Sequence, residues 1–122
     1  MIQSYLHKDA VILLSEWIKE NPSLIGLTDV ERVSVEESFC TGGFVKFIPD
    51  IAVYDKTGIK AMVEVIHKSD LNAVKLWVMQ YYFYWHNISP LVITVSAEMI
   101  MRLVEVPKYL KYMVYNKLEY KY

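Results

Sequence analysis

Asp50, in FIPDIAVYD, and Glu64, in AMVEVIH, are carboxylates set in stretches that otherwise read as strands rich in β-branched and aromatic residues. Between them Lys56-Thr57-Gly58 has the character of a three-residue hairpin loop, with Gly58 supplying the left-handed residue. Closing that loop pairs Asp55 with Ile59, and the register then sets Asp50 directly opposite Glu64, with Cβ atoms about 5 Å apart. Two ionised carboxylates so placed repel each other unless a cation lies between them. Oxygen-only ligation of this kind suits magnesium or manganese, which keep several waters and accept phosphate oxygens. The same register sets Lys46 opposite Lys68, and the period of two puts both lysines on the face of the acids. Either acid taken singly is a bland strand residue. The opposed pair, with lysines beside it, has the makings of a metal-plus-cation site for a phosphate.

The elements that must hold these residues follow from hydrophobic periodicity. Apolar residues Leu6, Ala10, Leu13, Leu14 and Trp17 recur at helical spacing from Ser4 to about Glu20, and Asn21-Pro22 stops that helix. Arg32 to Phe39 alternates as a half-exposed strand. Phe44 to Asp55 and Ile59 to His67 form the two strands that carry the acids. Asp70 is placed to cap a second helix reaching about His86. Leu91 to Val95 is a continuous apolar run, as expected of a buried central strand, and Ser96 caps a third helix over Ala97 to Val104. After Pro107 the chain fits helix and hairpin equally. The order is α-β-β-β-α-β with a C-terminal extension, an α/β arrangement.

Composition limits what such a site could belong to. The chain has 122 residues, 54% hydrophobic and 22% charged, which is one globular domain and no disordered or fibrous sequence. Thirteen basic and fourteen acidic residues give a net charge of -1, so a nucleic-acid partner would need local clustering of cations. The single cysteine, Cys40, excludes a disulfide framework or a four-cysteine metal site within one chain. The N-terminus lacks signal-peptide character, and the most hydrophobic region, Leu71 to Val95, is broken by Lys75, Gln80, His86, Asn87 and Pro90. A soluble, intracellular, cytoplasmic protein with no membrane partner is the expectation.

With these residues in order, the chain resembles the PD-(D/E)XK nuclease superfamily, and within it the RecB-like or Holliday-junction-resolvase-like members. Pro49-Asp50 matches the first acidic motif, and Glu64-Val65-Ile66-His67-Lys68 matches the second in part. Ile66 stands where the family lysine is expected. Lys68 lies on the same strand face about 7 Å further on, and Lys75, on the following helix, is a second candidate for a displaced lysine. Gln80-Tyr81-Tyr82-Phe83-Tyr84 reads as the family's Gln-x-x-x-Tyr signature on the helix after the catalytic strand, with Gln80 and Tyr84 sharing a helix face. A Tyr four residues from a Gln is also easily fortuitous on a helix so crowded with aromatics. Members often add an acid from the first helix, for which Glu16 and Glu20 rank about equally and Asp9 lower. The resemblance covers roughly residues 4 to 95, leaving 96 to 122 as the extension. It implies a restriction-endonuclease-like αβββαβ core, a mixed central sheet flanked by helices.

The resemblance further implies a magnesium- or manganese-dependent nuclease acting on DNA, with branched junctions, flaps and single strands as candidate substrates. Asp50 and Glu64 would hold the metal; Lys46, Lys68 and Lys75 would meet phosphates. The alternative is a catalytically inactive relative that binds nucleic acid or organises an assembly, which Ile66 favours. The C-terminal PKYLKYMVYNKLEYKY adds Lys108, Lys111, Lys117 and Lys121 against Glu119, interleaved with tyrosines. Phosphate attraction with ring stacking is one reading of such a stretch; an amphipathic packing or dimer element with solvated lysines is slightly preferred. Trp77, Tyr81, Tyr82, Phe83, Tyr84 and Trp85 lie on nearly every side of one helix, more than a small core can cover, so a homodimer is expected.

Overall fold

The computed structural model describes residues 5–41, 45–67 and 72–103. Helix α1 spans Tyr5–Glu20 and buries Ala10, Val11, Leu14, Trp17 and Ile18, the three- and four-residue steps of one helical face. Lys19 in its last turn complements the helix dipole. Asn21 ends it by donating backbone and side-chain N–H groups to Trp17 O at 2.8 and 3.1 Å. Pro22 then opens a short 3-10 turn to Ile25.

Strands β1 (Arg32–Val35), β4 (Ile51–Asp55), β5 (Gly58–Ile66) and β6 (Val92–Ser96) make a mixed four-stranded sheet in the order β1-β4-β5-β6. The first two pairings are antiparallel and the last is parallel. Strands β2 (Phe39–Thr41) and β3 (Val45–Phe47) form a separate antiparallel pair. Helix α2 (Ala73–Trp85) links β5 to β6, and α3 (Ala97–Arg102) follows β6 directly. With the β2–β3 pair set aside, the chain runs α-β-β-β-α-β.

Two apolar layers sandwich the sheet. On one face Ile51, Val53, Ala61, Val63, Val65, Ile93 and Val95 pack with α1 and α3. On the other, Ala52, Ile59, Met62 and Val92 pack with Leu76, Met79 and Phe83 of α2 and with Phe39 and Phe47 of the β2–β3 pair. The result is an α/β arrangement with helices on both faces of the sheet.

Several expectations need correcting. The strand expected from Arg32 to Phe39 stops at Val35, because Glu36 takes a left-handed conformation, φ 58°. The strand expected from Phe44 to Asp55 is broken between β3 and β4, where Pro49 has no N–H to donate to a ladder. Lys46 stands opposite Cys40 in the small sheet, on a strand separate from β4. Asn72 caps α2, accepting from Lys75 N at 3.0 Å, in place of Asp70. Ser96 does cap α3, accepting from Met99 N at 3.2 Å, but that helix ends at Arg102. Strand β6 closes the sheet order instead of sitting centrally, and its apolar run reflects cover on both faces. Lys68, Asp70, Lys108 and Lys111 lie outside the described residues. No helix among the described residues is long and apolar enough to cross a membrane.

The hairpin between β4 and β5 differs from expectation in an instructive way. Asp55 pairs with Gly58, so the loop is the two residues Lys56 and Thr57, and Gly58, φ 129°, begins β5. Tyr54 pairs with Ile59 but Val53 pairs with Ala61, which leaves Lys60 as the extra residue of a bulge. Beyond the bulge the register is Ala52 with Met62 and Ile51 with Val63, the same as a three-residue loop would have set.

Candidate active site

The restored register brings Asp50 and Glu64 together at the end of the β4–β5 ladder. Asp50 N–H donates to Glu64 Oε1 at 2.8 Å, and Val65 N–H donates to Asp50 Oδ2 at 2.7 Å. Each carboxylate thus takes a backbone hydrogen bond at or beside the other's strand position, extending the ladder past Ile51 and Val63. The Asp50 carbonyl accepts from Glu36 N–H at 3.2 Å, so the left-handed turn after β1 also fixes Asp50. The two side chains are each only 13% exposed.

Two cationic or titratable side chains close in on the pair. Lys75 Nζ, from the first turn of α2, lies 3.0 Å from Glu64 Oε2. His7 Nε2, from the start of α1, lies 3.3 Å from Asp50 Oδ2. Burial first, and then the charge of Asp50, push the Glu64 carboxyl above its ordinary value; Lys75 and the Asp50 N–H pull it back only in part. Negative charge at this point is held against a desolvation cost, with Lys75 as the local counter-charge.

Lys75 also lines a cleft of about 320 Å³ between α2 and β3, together with Val45, Lys46, Phe47, Asn72, Val74 and Val78. Lys46, which the sequence placed beside the acids through strand pairing, enters the neighbourhood through this cleft instead. Its lining combines two lysines and an asparagine with apolar side chains.

The remaining expected residues stand elsewhere. Gln80 is fully buried on the sheet-facing side of α2, and Tyr84 is 49% exposed. They lie roughly 7 and 13 Å further along the helix than Lys75, and roughly 140° and 180° around it. Glu16 and Glu20 are exposed, as is Asp9, on the solvent side of α1. From α1 it is His7 that reaches Asp50. His7 continues the buried stripe of Ala10, Val11, Leu14 and Ile18 by one turn, and that spacing is the signal by which it could have been found. His67 turns away from Glu64, and its Nδ1 sits 2.9 Å from Glu98 Oε1.

Among the described residues no group of three or more His, Cys, Asp or Glu side chains is gathered so as to hold a metal ion. A divalent ion here would rest on the two carboxylates, with water and substrate oxygens for the rest of its shell, an arrangement magnesium tolerates and zinc does not favour. Comparison with protein-family models, with curated proteins and with solved structures finds no match to this chain.

A second polar cluster lies beside β1. Glu37 Oε1 accepts from Ser34 Oγ at 2.6 Å and from Tyr54 Oη at 2.7 Å, with Arg32 Nη1 at 3.5 Å. The Arg32 guanidinium also stacks 3.8 Å above the Tyr54 ring. Burial raises Glu37, but these bonds and the Arg32 charge outweigh it and hold the carboxyl below its ordinary value. Burial, then the Glu37 bond, push the Tyr54 phenol up to about 12. The cluster ties the loop after β1 to β4, the same loop whose Glu36 N–H meets the Asp50 carbonyl.

Proposed function

We propose that this chain is a metal-dependent nuclease of the PD-(D/E)XK kind, hydrolysing phosphodiester bonds in DNA, with Asp50 and Glu64 holding magnesium or manganese. One observation carries the reading: a partly buried, opposed carboxylate pair with a lysine ammonium 3.0 Å from one of its oxygens. The αβββαβ element order supports it, since that order presents the acids at the end of the second and third strands of the sheet. A bound divalent ion would polarise a phosphate and lower the pKa of a water.

The chain's own residues supply the remainder. Asp50 is held by four contacts from three parts of the chain, two of them on its carboxylate, so that carboxylate would enter the reaction already oriented. Lys75 takes the part that Ile66 cannot: its ammonium stands at Glu64, where it would stabilise charge developing on the phosphate or orient the attacking water. Lys46 and the apolar wall of the α2–β3 cleft would receive the neighbouring nucleotide, phosphate to the lysine and base to Val45, Phe47 and Val78.

The second reading is an inactive relative that binds nucleic acid or organises an assembly. It is favoured by Ile66 and by the carboxylate oxygens already engaged with backbone N–H groups and with Lys75. Labelled junction, flap and single-stranded DNA incubated with magnesium or manganese separates the two. The nuclease cuts at least one of them, and chelator or Asp50→Asn abolishes the cut. No cleavage of any substrate with either ion, by protein that binds them, establishes the inactive reading.

A further inference from the structure

The carboxylate pair has a cleft on either hand, one beside α1 and one beside α2, helices that pack on opposite faces of the sheet. The α2 cleft reaches the pair through Lys75, whose ammonium lies 3.0 Å from Glu64 Oε2. The α1 cleft, of about 210 Å³, is lined by Lys8, Val11, Ile12, Val35 and Glu36. It reaches the pair by two routes. Lys8 follows His7, whose Nε2 lies 3.3 Å from Asp50 Oδ2, and Glu36 donates its N–H to the Asp50 carbonyl at 3.2 Å. Both clefts join lysine to aliphatic side chains that the fold leaves in water. Ile12 and Val35 are 53% and 43% exposed in the first, and Val45 and Val74 are 47% and 74% exposed in the second.

We propose that an unpaired DNA strand crosses the carboxylate pair from the α1 cleft to the α2 cleft, so that the cut falls inside a strand and does not require a strand end. The proposal rests on the nuclease reading above and names its substrate class. A phosphate held at the pair has a nucleotide on both sides only where the strand continues both ways, and each side offers it a seat. Lys8 on one side and Lys46 on the other meet the phosphates that flank the scissile one. The aliphatic side chains take bases, which reach them only when freed from their complements. Glu36 adds an acceptor for a base amino group in the α1 cleft. A paired duplex would present phosphates to the lysines but keep its bases inside the stack, leaving Ile12, Val35, Val45 and Val74 wet. An enzyme that works from a strand end needs a cleft on one side of its acids; here lysine and apolar surface stand on both.

The test has a cleavage arm and a binding arm. In the first, the full chain with magnesium or manganese is given a covalently closed single-stranded circle, a linear strand of the same sequence and a relaxed, fully paired circle. The expected result is that the single-stranded circle is opened while the paired circle stays intact. A linear strand shortened from its ends beside an intact single-stranded circle overturns the proposal and leaves the nuclease reading standing. A paired circle cut as fast as the single-stranded one overturns it too. In the second arm, fluorescence anisotropy with a labelled single strand is measured in chelator on Asp50→Asn protein, which cannot cut and has lost one repelling charge. Lys8→Glu and Lys46→Glu, both at exposed positions, should each weaken binding roughly fivefold or more and lower its salt slope by about 0.7. Lys19→Glu, roughly 16 Å along α1 from Lys8, should leave binding as it was. If no substrate is cut, the nuclease reading falls, and weakened binding in both lysine variants still establishes the strand's path. Unweakened binding in either variant overturns that path whatever the cleavage arm shows.

Discussion

Lys75→Met separates the role of this lysine in catalysis from its role in stability. The substitution keeps most of the side chain's length and removes the ammonium 3.0 Å from Glu64 Oε2. Breaking a fully buried ion pair costs about 3–5 kcal/mol, and breaking an exposed one costs under about 1 kcal/mol. With side chains 13% and 27% exposed, the Glu64–Lys75 pair stands between those cases, so we expect a loss of about 2 kcal/mol at pH 8. For a domain of this size that is a fall in Tm of roughly 6–10 °C. The sign of the pH dependence is fixed. Glu64 is already held above its ordinary value, and removing Lys75 raises it further. The penalty is therefore present above the native Glu64 value, and it disappears as pH falls through that value and the carboxyl takes a proton. In cleavage, losing one preorganised donor to developing charge should slow the reaction about 10²–10³-fold at saturating metal. Manganese should bind no more weakly than to wild type, since a repelling cation has gone. Thermal melts from pH 4 to 8, metal titration and single-turnover cleavage read all three effects. A variant that cuts at the wild-type rate would refute the assignment, and Lys68→Met would then be the substitution to examine.

Three further outcomes follow from the same geometry. Glu64→Gln keeps an acceptor for the Asp50 N–H but removes the desolvated charge. The metal-free variant should match or exceed wild type in melting temperature at pH 7 while losing metal-dependent cleavage, and a strongly destabilised variant would mark the acid as structural. Tyr54→Phe should cost about 1 kcal/mol by chemical denaturation. Wild type, whose phenol is protonated to a higher pH in the folded state than the ordinary value of 10.0, should lose stability between pH 10 and about 12 in a way the variant does not. Truncation after Val106 should leave a folded domain whose binding to DNA is weaker and less salt-dependent if the terminal lysines contact phosphate, and binding unchanged by truncation would refute that role.

The acids were legible in the sequence because polar residues interrupt strands whose period of two is otherwise clear. Their mutual placement was legible for a reason that is only half right. Lys56-Thr57-Gly58 reads as a three-residue loop, whereas the chain makes a two-residue turn and returns the missing step at Lys60. No pattern of side-chain types announces a bulge, since Lys60 is as much at home in a regular exposed position. Lys46 was misplaced for a related reason: one apolar run from Phe44 to Asp55 reads as a single strand, and only Pro49 hints that it breaks. His7 and Lys75 come to the acids from helices packed on opposite faces of the sheet. Helical spacing gives the face of each but not where along the sheet that face lands. The outer stripe of α2 was visible as an excess of rings; which of them the sheet would cover depended on how the helix is rolled against it.

The bulge at Lys60 also separates two parts of the hairpin that would otherwise share one phase. If the pairing set at the Lys56-Thr57 turn carried on unbroken, Asp50 would come opposite Val63, whose side chain lies in the apolar layer under α1. The carboxylates would then sit on opposite faces of the sheet and never meet. Lys60 works as a frame correction: upstream of it the turn sets the reading, downstream the core does. Met62 and Val63 are locked by the two apolar layers, so a residue gained or lost at the solvent-exposed turn can be taken up at the bulge before it reaches the acids. The tip of this hairpin is thereby free to vary in length and composition, and the chemistry at its other end is insulated from that variation.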